Sequence, residues 1–132
     1  MKKTEPLRVL LVDDEEDLVF TMEERLKIRG FDAEGFVSGE SALERFKEKE
    51  FDVVVIDVKM PGLGGLEAMR KMKAIRPDVA VIFFTGHGSQ ENGEEGMREG
   101  AFDYLMKPVN LEDLIVKIKQ AAEKPPERNQ DG

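Results

Sequence analysis

Apolar residues along this chain alternate between two spacings, a near-continuous one and a helical one, five times over. Short runs rich in β-branched and aromatic residues predict strands, and recurrence every three or four residues predicts helices. The strand candidates are Arg8–Val12, Asp32–Phe36, Val53–Ile56, Val81–Phe84 and Phe102–Met106. After the first, Leu18, Met22 and Leu26 recur at helical spacing until Gly30 supplies a stop. Ser38 can cap a second helix with Ala42, Leu43 and Phe46 as its apolar stripe. A third helix, Gly65 to Ile75, turns Leu66, Met69 and Met72 inward and ends before Arg76-Pro77. Ser89 opens a fourth, which closes at Gly100. Asn110 caps a fifth, with Leu111, Leu114, Ile115, Ile118 and Ala122 on one face.

Strand–helix repeats joined by short loops predict an α/β fold with a parallel sheet covered on both faces and right-handed crossovers. The first, third and fourth strands are almost wholly apolar, as central strands of such a sheet are. The second is polar and the fifth alternates, which suits edges. The order 2-1-3-4-5 follows, a doubly wound (βα)5 sheet of flavodoxin-like winding with its switch point between strands 1 and 3. Ligands bind outside the carboxyl ends of such strands. Four runs end there in polar residues: Asp13-Asp14, Asp57, Thr85 and Lys107-Pro108.

Composition narrows the chemistry. At 132 residues the chain fits one domain, residues 1–124, followed by a polar tail or the start of a linker at 125–132. With no Cys there is no disulfide, thiolate metal site or cysteine nucleophile, and the single His disfavours a histidine-rich metal site. A net charge of −8 disfavours direct binding to nucleic acid, which needs a basic stripe. The amino terminus lacks an apolar signal region. The longest apolar stretch, Val79 to Phe84, falls far short of the roughly 20 residues of a membrane span. A cytoplasmic protein without membrane contact is expected.

Three carboxylates at one spot repel, and one protonates unless a cation neutralises them. Oxygen ligands alone select a hard ion, and Mg²⁺ suits a few carboxylates plus waters and phosphate oxygens. Glu15, Glu16 and Asp17 continue the acidic run as ordinary decoration of a helix amino terminus, whereas Asp13 and Asp14 are joined by Asp57 from another strand. Beside a metal, Asp57 can attack phosphorus. Thr85 can then donate a hydrogen bond to a phosphoryl oxygen, and Lys107 can neutralise another.

In these residues the chain closely resembles the receiver domain of two-component response regulators, with its chemotaxis-regulator-like fold. The likeness rests on Val12-Asp13-Asp14, the run from Ile56-Asp57 to Pro61-Gly62, Phe84-Thr85-Gly86-His87-Gly88, and Gly100 through Lys107-Pro108. It spans residues 7 to about 123. The resemblance implies that Asp57 accepts phosphate from a sensor histidine kinase or a histidine phosphotransfer protein. It implies direct Mg²⁺ ligation by Asp14, Asp57 and the Lys59 backbone carbonyl, with Asp13 acting through water. Thr85 and Lys107 would bind the phosphoryl group, and the Lys107–Pro108 bond would be cis. Tyr104 would be the switch aromatic, moving as phosphate draws Thr85 inward; without the resemblance, it reads better as an amphipathic edge-strand residue. The face made by the fourth helix, fifth strand and fifth helix would meet an output partner. The residues leave open a phosphorylation-dependent homodimer through that face. A domain consumed and regenerated each cycle is a reactant rather than an enzyme.

Two local features add expectations of their own. Gly93 and Gly96 interrupt the fourth helix at roughly 1 kcal/mol each, which predicts the least stable helix, unless they allow close packing on the sheet. Lys59 and His87 flank the site with bulk that would hinder an attacking water and prolong the phospho-form. Rival readings fare worse. Neither G-x-x-x-x-G-K-[ST] nor G-x-G-x-x-G occurs, and acidic residues stand where a flavin phosphate loop would be. A turnover phosphatase would need a second acid where Lys59 stands. A receiver-like interaction module that works without phosphorylation is the alternative that remains.

Overall fold

Every residue of Val53–Asp57 is buried, and that strand forms the middle of the molecule. The computed structural model describes residues 5–86 and 90–123. Its elements run β1 (Arg8–Val12), α1 (Glu16–Ile28), β2 (Asp32–Phe36), α2 (Gly39–Glu48), β3 (Val53–Asp57), α3 (Gly65–Ile75), β4 (Ala80–Thr85), α4 (Gln90–Arg98), β5 (Asp103–Met106) and α5 (Leu111–Glu123). All strand pairs are parallel in the order β2-β1-β3-β4-β5, the winding expected from the hydrophobic pattern. β1 and β4 are buried after their first residue, whereas β2 and β5 lie half open at the edges.

Alternation along the strands divides the core in two, because successive side chains leave a strand on opposite faces. Val9, Leu11, Val53, Val55, Ile82 and Phe84 pack with α1 and α5 on one face. Leu10, Val12, Val54, Ile56, Val81 and Phe83 pack with α2 and α3 on the other.

The helix boundaries follow local chemistry. Ser38 Oγ accepts from Ser41 N at 3.1 Å and caps α2. Asn110 Oδ1 accepts from Asp113 N at 3.1 Å at the start of α5. Gly30, at φ +95°, turns the chain out of α1. Ser89 lies outside the described residues.

The helical stripes are shifted slightly from expectation. Val19, rather than Leu18, joins Met22 and Leu26 in the buried row of α1. Ala68, rather than Leu66, joins Met69 and Met72 in α3, and Ala121 replaces Ala122 in α5. In α2, Ala42 and Phe46 are buried and Leu43 lies at the margin. Residues on either side of a stripe's centre differ little in sequence spacing, so packing against the sheet decides which of them is buried.

α4 shows why its glycines are there. A Cβ on Gly96 would stand 2.4 Å from the Phe83 ring, and one on Gly93 would stand 2.5 Å from the ring of Tyr104. The helix backbone lies directly on β4 and β5, so the close-packing reading of these residues holds.

Candidate functional site

The register of the sheet builds the site. Val12 pairs with Ile56, so the next residues, Asp13 and Asp57, stand side by side where β1 and β3 end. Asp57 pairs with Phe84, which brings Thr85 to the same edge, and Thr85 pairs with Met106, the residue before Lys107. Main-chain bonds extend this order past the strands. Asp13 N donates to Phe36 O at 3.1 Å, Val58 N to Phe84 O at 3.0 Å and Lys107 N to Thr85 O at 2.8 Å. The Lys107–Pro108 bond is cis, as the family likeness implied. Gly65 lets the loop after β3 close over the strand, because a Cβ there would meet Asp57 O at 2.4 Å.

Asp13, Asp57 and Thr85 are the buried polar residues among those described, at 1%, 7% and 0% exposure. Asp13 Oδ1 accepts from Glu15 N at 2.9 Å, a turn that leaves Asp14 facing solvent. Lys107 Nζ lies 2.8 Å from Asp13 Oδ2, 2.8 Å from Glu15 Oε1 and 3.6 Å from Asp57 Oδ2. The approach to Asp13 Oδ2 is an ion pair without the angles of a hydrogen bond, so this buried oxygen has no directed donor. Carboxylate oxygens of Asp13, Asp14 and Asp57 lie within 4.8 Å of one another. An undonated buried oxygen within an oxygen-only cluster fits a hard divalent cation. Lys59, exposed on the following loop, gives a backbone hydrogen bond to Asp57.

The electrostatics show crowding. Burial, followed by the charge of Asp13, raises the Asp57 carboxyl to about 6 against the pull of Lys107. Burial also raises Asp13, opposed by its contact with Lys107. Burial alone would lower the Lys107 ammonium, but contacts with Asp13 and Glu15 outweigh it and raise the group.

The sequence placed Asp13, Asp14, Asp57, Thr85 and Lys107 at one edge, and the structure brings them together. Tyr104 lies half-buried one strand away, its ring against Gly93. His87 falls outside the described residues. Two participants were missed. Glu15 turns back onto Lys107 instead of merely decorating the helix start. Met106 presents its sulfur 2.9 Å from Thr85 Oγ1. No spacing rule reports where such flexible side chains point.

A doubly wound parallel sheet with a buried carboxylate at its switch point, flanked by acids, a hydroxyl and an ammonium, defines an α/β domain with an acidic pocket at the carboxyl ends of its strands. The sequence profile of the response regulator receiver domain matches residues 9–119, and the chain belongs to that family, the receivers of two-component systems. It is 34% identical over 116 residues to the C4-dicarboxylate transport transcriptional regulatory protein DctD of Rhizobium meliloti, covering 88% of this chain and 25% of that protein. It is also 34% identical to the transcriptional regulatory protein RprY of Bacteroides fragilis, covering 87% of this chain and 49% of that one. The chain thus spans a quarter to a half of the length of these relatives. Among solved structures, a receiver domain protein from Clostridium thermocellum superposes with a TM-score of 0.83 at 39% identity, covering 88% of this chain and 94% of that one. FixJ-N gives 0.83 at 30% identity, covering 95% and 98%. No helix among the described residues is long and apolar enough to cross a membrane.

Proposed function

We propose that this domain receives a phosphoryl group on Asp57 from a sensor histidine kinase or histidine phosphotransfer protein in the cytoplasm. The observation that carries the reading is the Asp57 carboxylate itself. It is buried, crowded by Asp13 and Asp14, and 3.6 Å from Lys107. Mg²⁺, held by Asp14, Asp57 and the Lys59 carbonyl with Asp13 acting through water, would screen charge on the incoming oxygens.

An Asp57 oxygen attacks phosphorus while the bond from phosphorus to the donor imidazole nitrogen breaks, and the electron pair returns to the ring. Lys107 exchanges part of its contact with exposed Glu15 for one phosphoryl oxygen, and Thr85 donates its hydroxyl to another. Tyr104 follows Thr85, which changes the surface of α4, β5 and α5 for an output protein or domain, or for a second copy of the chain. Lys59 slows the return reaction by obstructing water. The domain speeds only its own phosphorylation and dephosphorylation and is consumed in each cycle, so it acts as a reactant rather than a turnover enzyme.

Incubation with acetyl phosphate and Mg²⁺, followed by mass spectrometry, tests the reading. One added phosphoryl group is expected, absent from Asp57→Asn. No adduct would leave an interaction module that works without phosphorylation, and an adduct that survives the substitution would put the phosphoryl group on a residue other than Asp57.

A further inference from the structure

One polar contact at the site has no part in the phosphoryl reading. Thr85 is fully buried, and its hydroxyl donates to Met106 Sδ at 2.9 Å. The pairing of Thr85 with Met106 between β4 and β5 holds the two side by side at the sheet edge. Met106 is itself 37% exposed. Met22, Met69 and Met72 are buried in the core, so Met106 and the 40% exposed Met97 of α4 are the described methionines most open to an oxidant. A thioether is a weak acceptor and releases a hydroxyl at little cost. A sulfoxide is polar, and its oxygen is a far stronger acceptor.

We propose that Met106 is a redox-sensitive latch on Thr85, a site where hydroperoxides modify the chain and reduce its response to phosphoryl groups. This rests on the assignment of Thr85 as a phosphoryl ligand. In the step itself, a sulfur lone pair attacks the terminal peroxide oxygen and the O–O bond breaks. Sulfur gains one oxygen and is oxidised by two electrons. The peroxide is reduced and leaves as water or an alcohol once its oxygen takes up a proton. The new sulfoxide oxygen retains the Thr85 hydroxyl, which must leave it before it can reach a phosphoryl oxygen. Methionine sulfoxide reductases reverse the change.

Beryllofluoride titration with Mg²⁺ on the full chain tests the latch, with oxidation at Met106 verified by peptide mass mapping. Untreated chain is compared with peroxide-treated chain and with treated chain incubated with both reductases. The treated chain and treated Met97→Leu should bind several-fold more weakly than their untreated forms, and the reductases should restore binding. Met106→Leu should bind equally well before and after peroxide. Unchanged affinity in the treated chain, or an equal loss in Met106→Leu, overturns the latch. An untreated chain that binds no beryllofluoride instead removes the phosphoacceptor reading on which the latch stands.

Discussion

Asp57 illustrates how a single side chain can be held at a cost to the fold. Unfolded, its carboxyl titrates near 3.8; folded and free of metal, it titrates near 6, chiefly because it is buried. The folded form therefore holds its proton more tightly, and stability falls as pH rises between those values. The whole penalty stands above pH about 6 and corresponds to at most about 3 kcal/mol. Asp57→Asn removes the charge and should stabilise the metal-free chain by up to that amount at pH about 7.5, with much less gain near pH 4. Urea melts in a chelator at the two pH values measure this, and an equal gain at both would contradict the burial account. Asp57, Thr85 and Lys107 were legible in the sequence because each stands at the end of a strand-like run, and strand ends are recognisable. Glu15 and Met106 were not, because their roles depend on rotamers chosen by neighbours more than twenty residues away.

At the scale of an element, α4 sets two principles against each other. Replacing Gly96 with Ala improves helix propensity by roughly 1 kcal/mol. The added methyl would also stand 2.4 Å from the ring of Phe83, which is fully buried and has no room to retreat. Overpacking of this kind costs about 1–3 kcal/mol. The clash should win, so Gly96→Ala is expected to lower stability in urea melts; a gain would mean that α4 can lift from the sheet without loss. The sequence left open whether Gly93 and Gly96 weaken the helix or seat it, because composition alone does not reveal the ring beneath a glycine. β2, by contrast, was legible as an edge from its polarity. Its Glu34 pairs with Arg45 at 2.8 Å and Lys49 at 2.7 Å, which covers that margin with charge.

Across the whole molecule, the sheet separates two cores that share no side chain among the described residues. Phe46 belongs to one and Ile118 to the other. Phe46→Leu and Ile118→Val, each costing on the order of 1 kcal/mol, should therefore add within about 0.5 kcal/mol in the double variant. Phe46→Leu with Phe51→Leu should depart further from additivity, because those rings stack at 6.4 Å between centroids. Urea melts of both double variants make the comparison. Strand order was legible because burial leaves a hydrophobic signature along each strand, whereas the exact phase of the helices was set by packing that no single segment records.

Lys107 meets Glu15 across 92 positions of sequence, and the carboxylates of Asp13 and Asp57 beside it come from the ends of β1 and β3. A growing or clipped polypeptide that lacks β5 therefore keeps the three carboxylates but not the ammonium that pairs with them. Under the proposed function, a complete receiving pocket would exist only once the last strand has docked.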